Sequence, residues 1–257
     1  MLQETIDGLL FKEMVLAGAS LLERNREAID ALNVFPVPDG DTGTNMSLTM
    51  KSMVKELSAM DDSSAAKIAE AASKGALKGA RGNSGVILSQ IFRGFARGLE
   101  GAAVITPVLF AKALKCGAET AYKAIMKPKE GTILTVIRVI AEEAQRQVRK
   151  NPDDMHALLD VVVQSGESIL QKTPDMLPAL KQAGVVDSGG QGLLTVFTAY
   201  RATLNGEHID DTSMTVGEAA MLDFEDDHDA LEEITFKYCT EFIIQDMPET
   251  ITENDIN

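Results

Sequence analysis

An all-α fold of eight long helices is what this sequence predicts, on three observations. Apolar residues recur at spacings of three and four through most of the first 205 positions, and residues that start helices precede the later runs. No period-2 run bounded by turn residues occurs before residue 205, so a doubly wound sheet or an alternating strand-helix barrel would need strands that this stretch does not offer.

The first helix is read from Ile6, Leu10, Met14, Ala17, Leu21, Leu22, Ile29 and Leu32, with Glu, Arg and Lys between them. The same periodicity over Thr44–Met60, the alanine-rich Ser63–Ala80 and Ser84–Leu99 gives helices two to four. Thr106-Pro107 supplies an N-cap followed by proline at the first helical position; this fifth helix runs to Met126 and stops before Pro128. Thr132–Arg149, Asp153–Gln171 and Ser188–Leu204 complete the set, with a short helix after Thr173-Pro174.

Beyond Asn205-Gly206 the composition turns acidic and the helical period fades, which reads as a linker over 206–232. From Glu233 to Gln245, β-branched and aromatic residues reach strand-like frequency, so residues 233–257 read as the start of a truncated, β-containing second domain. The chain is therefore expected to be a fragment of something longer, with residues 1–205 as its helical domain.

At 257 residues and 45% hydrophobic content, the chain can bury one sizeable core. Its formal charge of -15 argues against nucleic acid and against anionic membrane surfaces, both of which attract basic patches. No stretch approaches the ~20 consecutive apolar residues of a membrane-spanning helix. Cys116 and Cys239 lie far apart, and the start lacks the basic-then-apolar pattern of a secretory signal, so the expected compartment is the cytoplasm.

The candidate chemistry sits in loops. Asn33-Val-Phe-Pro-Val-Pro-Asp-Gly-Asp-Thr-Gly-Thr-Asn45 joins the first two helices. Asp39 and Asp41 flank a glycine, so on an extended loop both carboxylates can share a hard divalent cation. Thr42, Gly43, Thr44 and Asn45 then lead into a helix N-terminus, where free N–H groups and the helix dipole favour phosphate. The same residues also make an ordinary Asp-Gly turn with Thr44 as cap. An EF-hand is excluded, because its sixth and twelfth positions would be Thr44 and Met50.

Three further glycine-rich starts follow: Asn83, Ser84 and Gly85 at the fourth helix, Gly131 and Thr132 at the sixth, Asp187, Ser188 and Gly189 at the eighth. Each alone is an expected cap. Together they open helices two, four, six and eight, which an up-and-down bundle brings to one end. There is no Gly-x-x-x-x-Gly-Lys-Ser/Thr loop, no His-Arg-Asp set and no Gly-x-Ser-x-Gly elbow. His156 is read as mid-helix packing, His208 and His228 as surface, and Cys116 as core.

Four motifs in order carry a resemblance to the L domain of dihydroxyacetone kinases, and more closely to the ATP-binding subunits of fatty acid kinases. They are Asn-Val-Phe-Pro-Val-Pro-Asp-Gly-Asp-Thr-Gly-Thr-Asn-Met, Ala-Arg-Gly-Asn-Ser-Gly-Val-Ile-Leu-Ser-Gln, Glu-Gly-Thr-Ile-Leu-Thr-Val and Val-Val-Asp-Ser-Gly-Gly-Gln-Gly-Leu. The resemblance covers residues 1 to 205 and implies an eight-helix antiparallel barrel holding ATP and one or two Mg2+ ions at one end. It places Asp39 and Asp41 as metal ligands and catalytic groups; a third aspartate of the pattern is absent, with Asn33 nearest. Thr42 to Asn45 and Asn83 to Gly85 match phosphate contacts; Gly131, Thr132 and Asp187 to Gly189 match positions around the nucleotide. It further implies a separate fatty-acid-binding protein as partner, acyl phosphate as product, and a homodimer formed through C-terminal parts. A dihydroxyacetone-type subunit and a non-catalytic helical scaffold are the alternatives.

Overall fold

The computed structural model describes residues 5–58, 60 and 62–207, all within the first of the two units into which the chain divides, Met1–Ala220. The expected β-containing segment and the linker beyond residue 207 lie outside the described residues, as do His208, His228 and Cys239.

Eight long helices carry the fold: α1 (Gly8–Arg24), α3 (Thr42–Ser58), α4 (Ala65–Gly79), α5 (Gly82–Gly98), α6 (Pro107–Ala124), α7 (Ile133–Lys150), α8 (Met155–Leu170) and α11 (Ser188–Leu204). Three short ones join them: α2 (Arg26–Ala31), α9 (Thr173–Met176) and α10 (Pro178–Ala183). Among the described residues there is no strand, and no helix is long and apolar enough to cross a membrane.

Each long helix packs on the next, from α1 through α3, α4, α5, α6, α7 and α8 to α11, and α11 returns to α1. The ring closes into a barrel because the helices bury their apolar faces in a shared interior, α11 being buried on nearly every side. That interior is filled. Phe110, Phe95, Phe11 and Tyr200 meet ring to ring across it from α6 to α11, edge-to-face, stacked and edge-to-face in turn, with centroids 5.3, 5.7 and 6.1 Å apart. Met14, Met50 and Met53 are fully buried beside them.

Helix starts follow from local chemistry. The side chains of Asp7, Thr106 and Asp154 accept the backbone N–H three residues on, at 2.8, 3.3 and 2.8 Å, which satisfies donors that the helix itself cannot.

The structure departs from the sequence reading at several places. The single first helix is two, broken at Asn25, whose Nδ2 donates to the Leu21 carbonyl at 2.8 Å; an Asn side chain that competes for backbone acceptors ends the run. Ile6 is not helical: it pairs with Ile105 through two backbone hydrogen bonds of 2.9 and 2.7 Å. The short helix after Thr173 is two, because Leu177 precedes Pro178 and is forced to an extended φ of -125°. His156 is the second residue of α8, its Nδ1 2.9 Å from Asn205 Oδ1, and Cys116 is half-buried rather than core.

Candidate functional site

α3 starts at Thr42 and α5 at Gly82, two residues earlier than their periodicity suggests. Thr42, Gly43, Thr44 and Asn45 are therefore the first turn of α3, and Asn83, Ser84 and Gly85 lie within that of α5. Thr132 and Asp187 are the N-caps of α7 and α11. The four starts form one connected cluster. Ser188 Oγ donates to Thr42 Oγ1 at 3.1 Å, joining α11 to α3. Asp187 accepts the N–H of Ile133, joining α11 to α7. A side chain at Gly82, whose φ is +55°, would set its first carbon 2.3 Å from the Asn45 amide nitrogen, so α5 and α3 approach this closely only because that residue is glycine.

The carboxylates lie on the approach to α3. Asp39 is exposed, and its Oδ1 accepts from Asn33 Nδ2 at 2.5 Å; the same nitrogen reaches the Val37 carbonyl at 3.3 Å. Asn33 is thus a buried donor that orients Asp39 through its amide nitrogen. Asp41 has its carboxyl pushed above the usual range by burial, with the negative charges of Asp39 and Asp30 adding to the rise and a hydrogen bond from Asn45 opposing it.

Asp30 is the residue that the sequence reading missed. Its Oδ1 and Oδ2 accept the Thr44 N–H and hydroxyl at 3.0 and 2.8 Å, so it caps α3 from α2. Its signal was hidden because the first helix was read as continuous to Leu32, which made Asp30 one more solvated helical acid.

These groups can hold a divalent cation, and two observations bear on the fit. The charges of Asp39 and Asp30 both act to raise the Asp41 carboxyl, so three acids share one locality. No three His, Cys, Asp or Glu side chains of the described residues are grouped tightly enough to enclose a metal. Asp30 being occupied by Thr44, a cation would meet the carboxylates of Asp39 and Asp41 and take its other ligands from water and phosphate. That is the habit of Mg2+, which dehydrates reluctantly and settles for one or two carboxylates.

The helix starts differ in what they leave open. Among the described residues, the N–H groups of Thr42, Gly43, Gly82, Asn83, Ser84, Ser188 and Gly189 have no acceptor, and Arg81 offers α5 no side-chain cap. Orphan N–H groups at converging helix starts suit an anion. The α7 start is more committed: Thr132 Oγ1 lies 3.4 Å from the Leu134 N–H, and the Ile133 N–H goes to Asp187. Asp187, 5% exposed, also accepts from the Gly190 N–H at 2.7 Å. Burial pushes its carboxyl up to about 6 against the pull of these two N–H groups. It is a buried clamp between helix starts.

Fold and cluster together define a kinase-related, all-α domain of the type seen in dihydroxyacetone kinase. Residues 36–202 match the DAK2 domain, and the chain belongs to that family. It is 48% identical over 246 residues to protein YloV of Bacillus subtilis (strain 168), covering 94% of this chain and 44% of that protein. It is 45% identical over 243 residues to an uncharacterized protein of Staphylococcus saprophyticus, covering 93% of this chain and 44% of that one. The chain thus spans less than half the length of the curated relatives it matches. The fold resembles the crystal structure of the dihydroxyacetone kinase from C. freundii in complex with AMP-PNP and Mg2+, with a TM-score of 0.57 and 20% identity over 76% of this chain and 34% of that one.

Proposed function

We propose that this chain is the ATP-binding part of a kinase that phosphorylates a fatty acid carboxylate to an acyl phosphate, the fatty acid being presented by a separate binding protein. The observation that carries the nucleotide reading is the convergence of orphan N–H groups from α3, α5 and α11 beside Asp39 and Asp41. The match of the fold to a kinase solved with AMP-PNP and Mg2+ supports the same cofactors here.

In this reading Thr42, Gly43, Asn83 and Ser84 take phosphate oxygens through their backbone N–H groups, and Ser188 and Gly189 close the other side. Asp39 and Asp41 hold one or two Mg2+ ions, with Asn33 fixing the first carboxylate and Asn45 the second. Bound magnesium would neutralise phosphate charge and line up the transferred group. A fatty acid carboxylate is already ionised at neutral pH, so the acceptor needs no general base. Positioning and electrostatics can then supply the rate, which suits a cluster of Asp, Asn, Ser, Thr and Gly without histidine.

The proposed compartment is the cytoplasm, and the proposed homodimer would form through parts of the protein C-terminal to the described residues. A second reading, transfer to a small ketone, is favoured by the dihydroxyacetone kinase fold. Asn33 in place of an acid weighs against it.

The test is a thermal-shift titration with ATP, with and without magnesium, because a ligand bound only by the native state raises Tm by mass action. A magnesium-dependent rise supports the nucleotide site; no shift at millimolar ATP leaves the four helix starts as caps. Acyl phosphate formation with a purified fatty-acid-carrying protein, against phosphorylation of free dihydroxyacetone, then separates the two acceptors.

A further inference from the structure

Glu130 stands immediately before the Gly131-Thr132 turn, and its carboxylate gathers three donors. Tyr122 Oη reaches Oε1 at 2.9 Å, while Thr135 Oγ1 and Arg138 Nη2 reach Oε2 at 2.7 and 2.9 Å. Arg138 Nε donates to Tyr122 Oη at 3.3 Å, and its Nη1 to Glu142 at 3.2 Å. Thr135 Oγ1 in turn accepts the Gly131 N–H at 2.8 Å. Donation converges on Glu130 from two sides, from Arg138 directly and through Tyr122 on one, and from the Gly131 backbone through Thr135 on the other. Burial works to raise the Glu130 carboxyl, but the hydrogen bonds from Thr135, Arg138 and Tyr122 outweigh it and hold it below the usual range.

The turn is one that glycine alone makes easily. Gly131 sits at φ +83°, a left-handed backbone, and a side chain there would come within 2.9 Å of Met176 Cβ and 3.0 Å of the Thr173 carbonyl. On its far side the Ile133 N–H is tied to Asp187 at the α11 start. The loop is thus gripped from both flanks, by α11 on one and by Arg138 and Tyr122 on the other. An isolated exposed ion pair contributes little, but here α6, the loop and α7 converge on one carboxylate next to a turn that glycine alone makes easily, and networks of this kind couple.

We propose that Arg138 and Tyr122 are positioning residues for the nucleotide site: they hold Glu130, and through Thr135 the Gly131-Thr132 turn, and so fix Ile133 against Gly189 at the α11 start, where a first side-chain carbon on that glycine would lie 3.3 Å from Ile133 Cβ. This rests on the proposed nucleotide site. Tyr122 and Arg138 also line an open groove of about 480 Å³ between α6 and α7, so truncating them removes surface atoms and leaves no internal hole.

The experiment compares the parent chain with Arg138→Met, Glu130→Gln, Tyr122→Phe and the Arg138→Met/Glu130→Gln double variant. Three quantities are read: Tm, the Kd for MgATP by calorimetry, and amide hydrogen exchange across Gly131–Leu134 without nucleotide. Arg138→Met and Glu130→Gln are each expected to weaken MgATP by roughly tenfold, the double variant no further than either, because both act through one network. Tyr122→Phe should do less, exchange at Gly131 should rise in all, and Tm should stay near that of the parent. A parent that binds MgATP while the variants match its affinity overturns the inference alone, even if exchange at Gly131 rises. A parent that does not bind MgATP overturns the proposed function and this inference with it.

Discussion

The Asp187 carboxylate at the head of α11 accepts the backbone N–H of Ile133, the first residue of α7, and so ties two helix starts together. It accepts the Gly190 N–H of its own helix as well, at 2.7 Å. The arrangement satisfies both donors but places a carboxyl where water does not reach, and its pKa rises from 3.8 to about 6.

The sign of the resulting pH dependence follows from proton binding. Between about pH 4 and 6 the folded chain keeps the Asp187 proton while the unfolded chain has lost it, so this group's contribution to stability falls as pH rises through that window. Above it, Asp187 carries a penalty of roughly 3 kcal/mol for a shift of this size. In Asp187→Asn the step is gone. Urea midpoints for both chains at pH 4 and pH 7 check this: the parent should lose stability relative to the variant on going to pH 7, and parallel changes would show that Asp187 stays ionised throughout.

Asp30, Asp39 and Asp41 share one locality but divide its work, and substitution separates them. Asp39→Ala or Asp41→Ala should abolish the magnesium-dependent gain from ATP, which for the parent is about 2.7 kcal/mol at a hundred times Kd. The ligand-free stability of Asp41→Ala should hold or rise, since it removes one of three neighbouring negative charges, whereas Asp39→Ala also strips the buried Asn33 amide of its acceptor and should lose part of that gain or more. Asp30→Ala loses the α3 cap made by two hydrogen bonds to Thr44 and should cost ~1 kcal/mol without any ligand. Equal ligand-free losses in all three variants would refute this division.

Gly82→Ala tests the close approach of α5 to α3. The residue has φ +55°, and its added carbon would meet the Asn45 amide at 2.3 Å. Backbone strain of this kind costs on the order of 1–3 kcal/mol. Because Asn45 also steadies Asp41, MgATP affinity should fall along with Tm. A variant that matches the parent in both would mean that the two helix starts slide apart freely.

How far the sequence alone reached depends on the kind of signal. Most of the long helices were legible because each buries a wide apolar stripe, and period and burial agree from Met46 to Leu57, whereas α11 is buried on every side from Leu193 to Tyr200. The meeting of Thr42, Asn83, Thr132 and Ser188 followed from helix order, since alternate helices of a closed ring start at one end. Asp30 was not legible. A capping acid that serves a different helix leaves no periodic trace, and the break at Asn25 that swings it toward Thr44 depends on one side-chain hydrogen bond. The Glu130 cluster was hidden for the same reason, as its members lie on α6, a loop and α7.

Asn33 presents the sharpest single-residue test, because the dihydroxyacetone-type pattern has three aspartates and this chain has an amide beside its first. Asn33 Nδ2 donates to Asp39 Oδ1 at 2.5 Å inside the fold, at 6% exposure. Asn33→Asp replaces that donor with a second acceptor at the same spot, so a hydrogen bond becomes a repulsion between two carboxylates. The ligand-free protein should lose roughly 1–3 kcal/mol, the usual cost of a buried polar group deprived of its partner. Magnesium should restore much of that loss, because a cation between the two carboxylates turns repulsion into shared coordination. The measurement is Tm for parent and variant across a magnesium titration, with calcium as a comparison. A large ligand-free drop that magnesium reverses identifies Asn33 as the donor that orients Asp39 at a metal site. A drop that no cation reverses would make it a purely structural residue and would remove Asp39 from the metal assignment.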